Sequence, residues 1–428
     1  DKLITLHCIE PDKLQTMNIK RNLKDKVMAC LAGDEIIIIT GARQVGKTTL
    51  LSAVRDELVQ QQLPVLFLNL DIDAHSPYFS SQGKLLQKIM LEIGETGYVF
   101  IDEIQRLENA GLFLKGLSDR KLNYKFVVTG SGSIELKGKI KESLAGRKRT
   151  FEMMPVGFRE FVHFKTGYKY AGKLDLFFEV EQEEAQYLLE EYLNFGGYPR
   201  IITEKQAGGK RMAMQEIYDS YVEKDLVYLL GIERAGAFYT LLKLLATQNG
   251  QIIKYSNLAT QAGIAVPTLK KYLWYAEKTF SIHYVSPYFT NPVKEITKSP
   301  VYYFNDLGLR NFALGTMGRL TAGPDMGFVF QNFVFLLLKA YANQHYARIH
   351  FWRTTDQAEV DFVLSGENGI VPVEVKYTDF RNPKFSRSFH SFLERYQPRE
   401  AWIINTQTET TYEVKGIPVK VMPYYKLI

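Results

Sequence analysis

The sequence predicts an α/β chain, and three features carry that prediction. An Ile-rich stretch, Glu35–Thr40, runs directly into a glycine loop and then into a helical segment at Thr48–Val59. Further apolar runs follow at Val65–Asp71, Tyr98–Ile101 and Phe126–Thr129, with helix-like segments between the first three strands. Strand-like segments recur after a long apolar helix at Phe328–Tyr341. Continuous apolar runs alternating with helices indicate a parallel sheet covered on both faces.

The composition suits a globular chain of several cores: 428 residues, 46% hydrophobic and 23% charged. Two to four domains are expected, at roughly 100–200 residues each. The 53 basic against 47 acidic residues leave a formal charge of +6, a mild excess that admits a polyanionic partner without requiring one. Cys8 and Cys30 are the only cysteines, and neither has a companion at metal-ligand spacing, so no disulfide framework or zinc site is expected and a reducing cytoplasm fits best. Apolar runs such as Phe333–Leu338 fall far short of the ~20 residues of a membrane span. The chain opens at Asp1 with neither Met nor a signal-peptide pattern, so a start upstream is expected.

Four units follow from the pattern. Residues 18–155 read as the parallel-sheet domain. Residues 156–232 are mostly helical, interrupted by the turn Phe195-Gly196-Gly197-Tyr198-Pro199, and read as a helical lid. In residues 233–320, the segments Tyr255–Ala262 and Val266–Glu277 flank Gly263 as a helix-turn-helix would, and a Tyr- and Phe-rich stretch suggests a β-ribbon, so this is a winged-helix-like module. Residues 321–428 form a second α/β unit, with strands near Ile349–Arg353, Glu359–Leu364, Val371–Val375 and Ala401–Asn405.

Gly41-Ala42-Arg43-Gln44-Val45-Gly46-Lys47-Thr48 satisfies GxxxxGK[ST] between a strand and a helix, the P-loop context. Its glycines let successive N–H groups turn toward phosphate oxygens, and the helix N-terminus adds partial positive charge. Lys47 is assigned to the β- and γ-phosphates and Thr48 to Mg2+, with Thr49 following on the helix. Tyr98-Val99-Phe100-Ile101-Asp102-Glu103 ends an apolar strand in two carboxylates, as a Walker B element does. Asp102 is then a second Mg2+ ligand, and Glu103 polarises the attacking water, which favours hydrolysis over binding alone. Ser131, in Thr129-Gly130-Ser131, is placed to sense the γ-phosphate, although a hydroxyl-capped strand end explains it as well. Arg147, in Ser143-Leu144-Ala145-Gly146-Arg147, is a candidate to neutralise transition-state charge in its own chain or a neighbour's. A surface arginine is equally consistent. Lys137, Lys139, Lys141, Lys148 and Arg149 around it read as a solvated charge run. The Asn-Lys-x-Asp guanine motif is absent, which disfavours GTP.

These motifs together resemble prokaryotic AAA+-like ATPases that carry a C-terminal restriction-endonuclease-like domain of unknown function. The residues that carry the resemblance are Gly41–Thr48 with Arg43-Gln44 inside the loop, Phe100-Ile101-Asp102-Glu103-Ile104-Gln105, Thr129-Gly130-Ser131, Leu144-Ala145-Gly146-Arg147, Pro155 through Phe161, and Gly196-Gly197-Tyr198-Pro199. The resemblance spans nearly the whole chain. It implies that the Gly-Gly-x-Pro turn belongs to the lid and lies near the nucleotide, which adds Gly197 and Pro199 to the binding residues.

Two further constellations bear on partners. Between Ala237 and Thr290 five lysines face one acid, Glu277. Thr268, Lys270, Lys271 and Tyr272 fall on the candidate recognition helix, where they are placed to meet DNA, while Leu269, Leu273 and Trp274 read as core. Packing or dimerisation is the competing role. In the C-terminal unit, period-2 alternation and antiparallel pairing bring Asp361, Glu374 and Lys376 together. This is similar to the PD-(D/E)xK nuclease signature, in which two acids hold Mg2+ and a lysine activates water. In the resembled family a further glutamate falls at the position of Gln331, and a neutral amide is a poorer ligand for a hard cation.

The expectation is a Mg2+-dependent ATPase with ATP and Mg2+ as cofactors, coupled to a nuclease-like domain that acts on DNA, with a second copy or another protein as further partners and no membrane. The rival is a slow nucleotide switch whose nuclease-like domain is degenerate and binds a protein.

Overall fold

The computed structural model describes residues 18–131, 144–222, 235–291, 295, 298–320, 324–354, 356–367, 369–378 and 385–428. Cys8, Lys137, Lys139, Lys141 and Ser143 therefore lie outside the described residues.

The N-terminal part runs α1 (Leu23–Ala29), β1 (Ile36–Gly41), α2 (Lys47–Gln60), β2 (Val65–Asn69), α3 (Gln82–Ile93), β3 (Gly97–Asp102), α4 (Ala110–Ser118), β4 (Tyr124–Ser131) and β5 (Lys148–Met153). The five strands form one sheet in the order β2-β3-β4-β1-β5, with every neighbouring pair parallel. β1 shows why a continuous apolar run was required. Ile37 and Ile39 belong to one core and Ile36 and Ile38 to the opposite one, so both faces of the strand are buried. The run Lys148-Arg149 is solvated at Arg149, whose side chain is half exposed. It opens the edge strand β5, where Arg149 pairs with Glu35 at 3.2 Å.

The segment expected to be a lid contains α5 (Phe158–Lys165), α6 (Leu174–Val180), α7 (Gln182–Phe195), α8 (Pro199–Thr203) and α9 (Ala207–Ser220). Its described residues divide between two cores. Phe158, Phe161, Phe177 and Leu189 pack into the core of the C-terminal part, whereas Ile201, Met214 and Ile217 pack into the core of the P-loop sheet.

The middle part is α10 (Ala235–Thr247), α11 (Tyr255–Gln261), α12 (Val266–Lys278) and an antiparallel ribbon of β6 (Ile282–Val285) and β7 (Val301–Phe304), with Ile252 bridged to Val301. Two side chains on α12 depart from expectation. Tyr272 is buried against Phe238, while Trp274 is 44% exposed and not core. A further helix, α13 (Leu307–Leu314), leads to the C-terminal part: α14 (Pro324–Gln344), β8 (Arg348–Arg353), β9 (Glu359–Gly366), β10 (Gly369–Val375), α15 (Arg387–Tyr396), β11 (Ala401–Asn405), β12 (Thr410–Val414) and β13 (Ile417–Pro423). Its sheet order is β12-β13-β11-β10-β9-β8; β8, β9 and β10 are mutually antiparallel, and β10, β11 and β13 parallel. Among the described residues no helix is long and apolar enough to cross a membrane.

The two halves meet at a joint of bare backbone. A Cβ on Gly196 would lie 2.4 Å from the Gly308 nitrogen, and one on Gly308 would lie 2.1 Å from the Phe195 carbonyl oxygen. Gly197 N–H donates to the buried Asp306 carboxylate at 2.7 Å, and the same carboxylate caps α13 by accepting from Leu309 N–H at 2.8 Å. Removing it leaves a buried N–H unsatisfied and a helix uncapped, so Asp306→Ala should cost about 2–4 kcal/mol in a urea melt. Burial raises the Asp306 carboxyl from its ordinary 3.8 to about 6 despite three backbone donors. The folded chain therefore holds that proton more tightly than the unfolded one. The resulting contribution to stability is full below pH 3.8 and is lost as pH rises through about 6. Melts between pH 4 and 7 should show the wild type losing ground to Asp306→Asn over that window.

Candidate functional site

The P-loop follows from β1 and its neighbour β5. Gly41 is pressed against β5: a Cβ there would sit 2.2 Å from the Met153 carbonyl oxygen. Gly46 has φ +96°, a left-handed conformation that glycine adopts without strain. Lys47 is buried and donates to the carbonyls of Ala42 at 2.8 Å and Gly41 at 3.2 Å. These are neutral acceptors that anionic phosphate oxygens would displace, because charge-assisted bonds are the stronger.

Thr48, the second residue of α2, donates through Oγ1 to Asp102 Oδ2 at 2.7 Å. Asp102 is fully buried at the end of β3, and its other oxygen accepts from Thr129 of β4. Glu103 follows at φ +58°, with its N–H directed at Asp102 Oδ1 (3.2 Å) and Thr129 Oγ1 (3.3 Å). Ser131 lies beside Gly41 in the β1–β4 register. The structure thus brings Lys47, Thr48, Asp102, Glu103 and Ser131 to one edge of the sheet. The Thr48 and Asp102 oxygens are the hard donors that Mg2+ takes, so the residues present fit the ion.

A cleft of about 980 Å³ opens beside the loop, lined in part by Asn22, Val45, Gly46, Thr49, Tyr168 and Pro199. Pro199 reaches the loop itself, with Cγ 3.9 Å from where a Cβ on Gly46 would lie. Gly197 does not join it. Its N–H is taken by Asp306, its carbonyl accepts from Val156 N–H at 2.8 Å, and a Cβ there would meet the Val156 carbonyl oxygen at 2.3 Å. Gly197 is thus a packing residue, which corrects its reading as a nucleotide contact.

Arg147 is likewise corrected for its own chain. Its carbonyl accepts from Ile36 N–H at the start of β1, roughly 16 Å along the strand from the P-loop. Its guanidinium pairs with Asp119 at 3.0 Å.

One loop-holding residue carried no sequence signal. Arg21 donates to the carbonyls of Val45 at 2.9 Å and Met154 at 2.6 Å and pairs with Glu160 at 3.0 Å. Its partners lie up to 139 residues away, which no local pattern reports.

The C-terminal cluster assembles as the alternation predicts. Phe362 pairs with Val373, which sets Asp361 opposite Glu374. Glu374 pairs with Lys376 at 3.2 Å and accepts from Ser386 at 2.6 Å. Asp361 accepts from Val375 N–H at 2.7 Å and from the Gln331 amide at 2.8 Å. Burial, and then the neighbouring charge of Glu374, raises the Asp361 carboxyl to about 7. No group of three or more His, Cys, Asp or Glu placed to hold a metal occurs among the described residues. Asp361 and Gln331 line a cleft of about 920 Å³ shared with Lys254, Asn257 and Gln261 around α11. That cleft is lined by α11 and not by Thr268, Lys270 or Lys271 of the expected recognition helix.

Comparison with known proteins finds three family matches along the chain. Residues 33–162 match the AAA domain family, residues 186–319 a domain of unknown function (DUF8612) and residues 326–427 another domain of unknown function (DUF4143). The chain is 27% identical to an uncharacterized protein of Haemophilus influenzae over 90% of this chain and 92% of that one. It is also 27% identical to an uncharacterized protein of Mycobacterium tuberculosis over 87% and 77%. Among solved structures, AMPPCP-bound DnaA from Aquifex aeolicus aligns over 60% of this chain and 86% of that one, at 14% identity and a TM-score of 0.26. Cdc6p from Pyrobaculum aerophilum aligns over 72% and 98%, at 11% identity and a TM-score of 0.26. TM-scores this low add nothing to the functional argument. The loop, the parallel sheet and the AAA match together identify residues 33–162 as an AAA-like P-loop domain of the ATPase kind.

Proposed function

We propose that the chain is a Mg2+-dependent ATPase whose nucleotide cycle is coupled to its C-terminal α/β domain, and that this domain acts on DNA together with the middle module. The observation that carries the reading is the Thr48 hydroxyl 2.7 Å from the Asp102 carboxylate, at the root of a loop that already holds Lys47. In this reading Lys47 binds the β- and γ-phosphates and Glu103 takes a proton from water. Ser131 meets the γ-phosphate. Thr48 and Asp102 would hold Mg2+, which would supply charge neutralisation on the phosphate oxygens.

Coupling is supported by a continuous set of contacts. Pro199 lies on the P-loop, and the turn preceding it is joined to Asp306. Two residues before Asp306, the backbone of Phe304 is held on both sides by the Asn332 amide, at 2.8 and 3.0 Å. Gln331, next to Asn332 on α14, bonds Asp361. DNA is favoured by the cleft at Asp361, where Lys254, Lys298 and Arg353 stand around the carboxylates. A second reading, a nucleotide switch with a degenerate nuclease-like domain that binds a protein, is favoured by Gln331, whose amide occupies an Asp361 oxygen that a metal would need.

Glu103→Gln should lower the rate of phosphate release by about 100-fold or more while ATP binding persists; an unchanged rate removes Glu103 from the chemistry. If duplex DNA at low salt neither binds nor alters turnover, the nucleic-acid part of the proposal fails. Asp361→Ala separates the two readings, because it abolishes Mg2+-dependent DNA cleavage under the first and changes nothing under the second. Arg147 can act only on a neighbouring copy, so mixing Lys47→Ala with Arg147→Ala chains should restore part of the turnover that each lacks alone. Mixtures as inactive as the separate variants exclude that role.

A further inference from the structure

We propose that the cavity walled by α5, α7, α8 and α9 binds a small organic anion, a carboxylate or phosphate that carries an apolar group, and that Lys165 and Lys210 hold its charge. The cavity measures about 450 Å³, inside the range of roughly 300–1,000 Å³ typical of small-molecule sites. It is a different place from the P-loop, although Thr203 and Glu204 line both this cavity and the cleft beside the loop.

Three charged side chains from three helices meet there. Lys165 ends α5, Glu191 lies on α7 and Lys210 on α9. Lys165 Nζ donates to Glu191 Oε1 at 2.8 Å, and Lys210 Nζ donates to the same oxygen. Two ammoniums on one carboxylate leave an excess of one positive charge. Lys205 and Glu204, which also line the cavity, are of opposite sign and do not change the sum. Water does little to spread this excess, because Lys210 is 4% exposed and the side chains of Glu191 and Lys165 are 12% and 19% exposed. Burial holds the Lys210 ammonium below its ordinary range even with Glu191 bonded to it, as befits a charge that is only partly compensated.

Each ammonium has three N–H donors. Among the described residues Glu191 Oε1 is the hydrogen-bond acceptor for both, and each ammonium otherwise faces an aromatic ring: Phe161 at 5.5 Å from Lys165 and Phe195 at 4.6 Å from Lys210. Two opposite charges can be buried near break-even, whereas a third charge carries its desolvation cost without return. An anion in the cavity supplies the missing charge and further acceptors together, through charge-assisted bonds. Phe164, Phe195 and Ile202 in the same wall favour an apolar group beside the anionic head. The positive sum disfavours a cation.

The test titrates the full chain calorimetrically with benzoate, phenyl phosphate, inorganic phosphate and the neutral benzamide. Benzoate or phenyl phosphate should bind the wild type and benzamide should not; the tighter of the two anions identifies the head group. Inorganic phosphate should bind more weakly than phenyl phosphate, because it leaves the apolar wall unused. Equal affinity overturns the apolar part of the assignment. Lys165→Met and Lys210→Met each leave one balanced lysine–glutamate pair, and each should weaken binding by about tenfold or more. Glu191→Gln raises the positive excess and should tighten binding by about tenfold, the reverse of what a merely structural triad gives. Binding that persists in Lys165→Met but disappears in Lys47→Ala lies at the P-loop and overturns the proposal. So does a wild type that takes up none of the anions at millimolar concentration, or one that takes up benzamide as well as benzoate, and these wild-type results hold whether or not every variant folds.

Discussion

The hydrogen bond between Thr48 and Asp102 depends on the parallel arrangement of β1, β3 and β4. Parallel strands end at the same edge of a sheet, so groups far apart in sequence gather there without any local signal between them. Thr48 lies just past β1, Asp102 closes β3 and Ser131 closes β4. One antiparallel strand among these would send its terminal side chain to the opposite edge. The fate of Arg147 shows the converse, since it precedes a strand instead of following one and is carried away from the loop.

The P-loop half was legible because its signals are local. Eight consecutive residues specify the loop, and a run of apolar residues ending in Asp102-Glu103 specifies the strand beside it. The alternation that brought Asp361 and Glu374 opposite each other was also readable, since a strand has a period of two whatever surrounds it. Less legible was anything set by distant packing. β5 begins with Lys148-Arg149 because an edge strand tolerates charge on its open side. Tyr272 and Trp274 exchanged their expected environments because neighbours on a helix differ in burial by which face meets Phe238, which composition does not show. The reach of Arg21 to Val45, Met154 and Glu160 belongs to the same class.

The two polar centres are built on different principles. At the P-loop, backbone groups, one ammonium and two oxygen donors surround a space open to a cleft. At Asp361 the carboxylate is enclosed by an amide, a backbone N–H and a second acid, so burial and like charge both favour its protonated form. The first arrangement receives an anion. The second favours a proton, and the Gln331 amide donates to its carboxylate.

The core of the P-loop sheet contains Tyr302, Phe304 and Leu309 alongside Ile37 and Val127. The face that bears Ile37 and Val127 is covered first by α2, whose Leu50, Leu51, Val54 and Leu58 belong to the same core and which contacts β1, β2, β3 and β4. The helix that begins at the P-loop is thus made before most of the sheet it shields, which shortens the time that apolar face spends in water during synthesis. A fragment ending after β5 would carry the P-loop, the Asp102-Glu103 strand end and that helix, and would lack the later members of the core such as Tyr302 and Phe304.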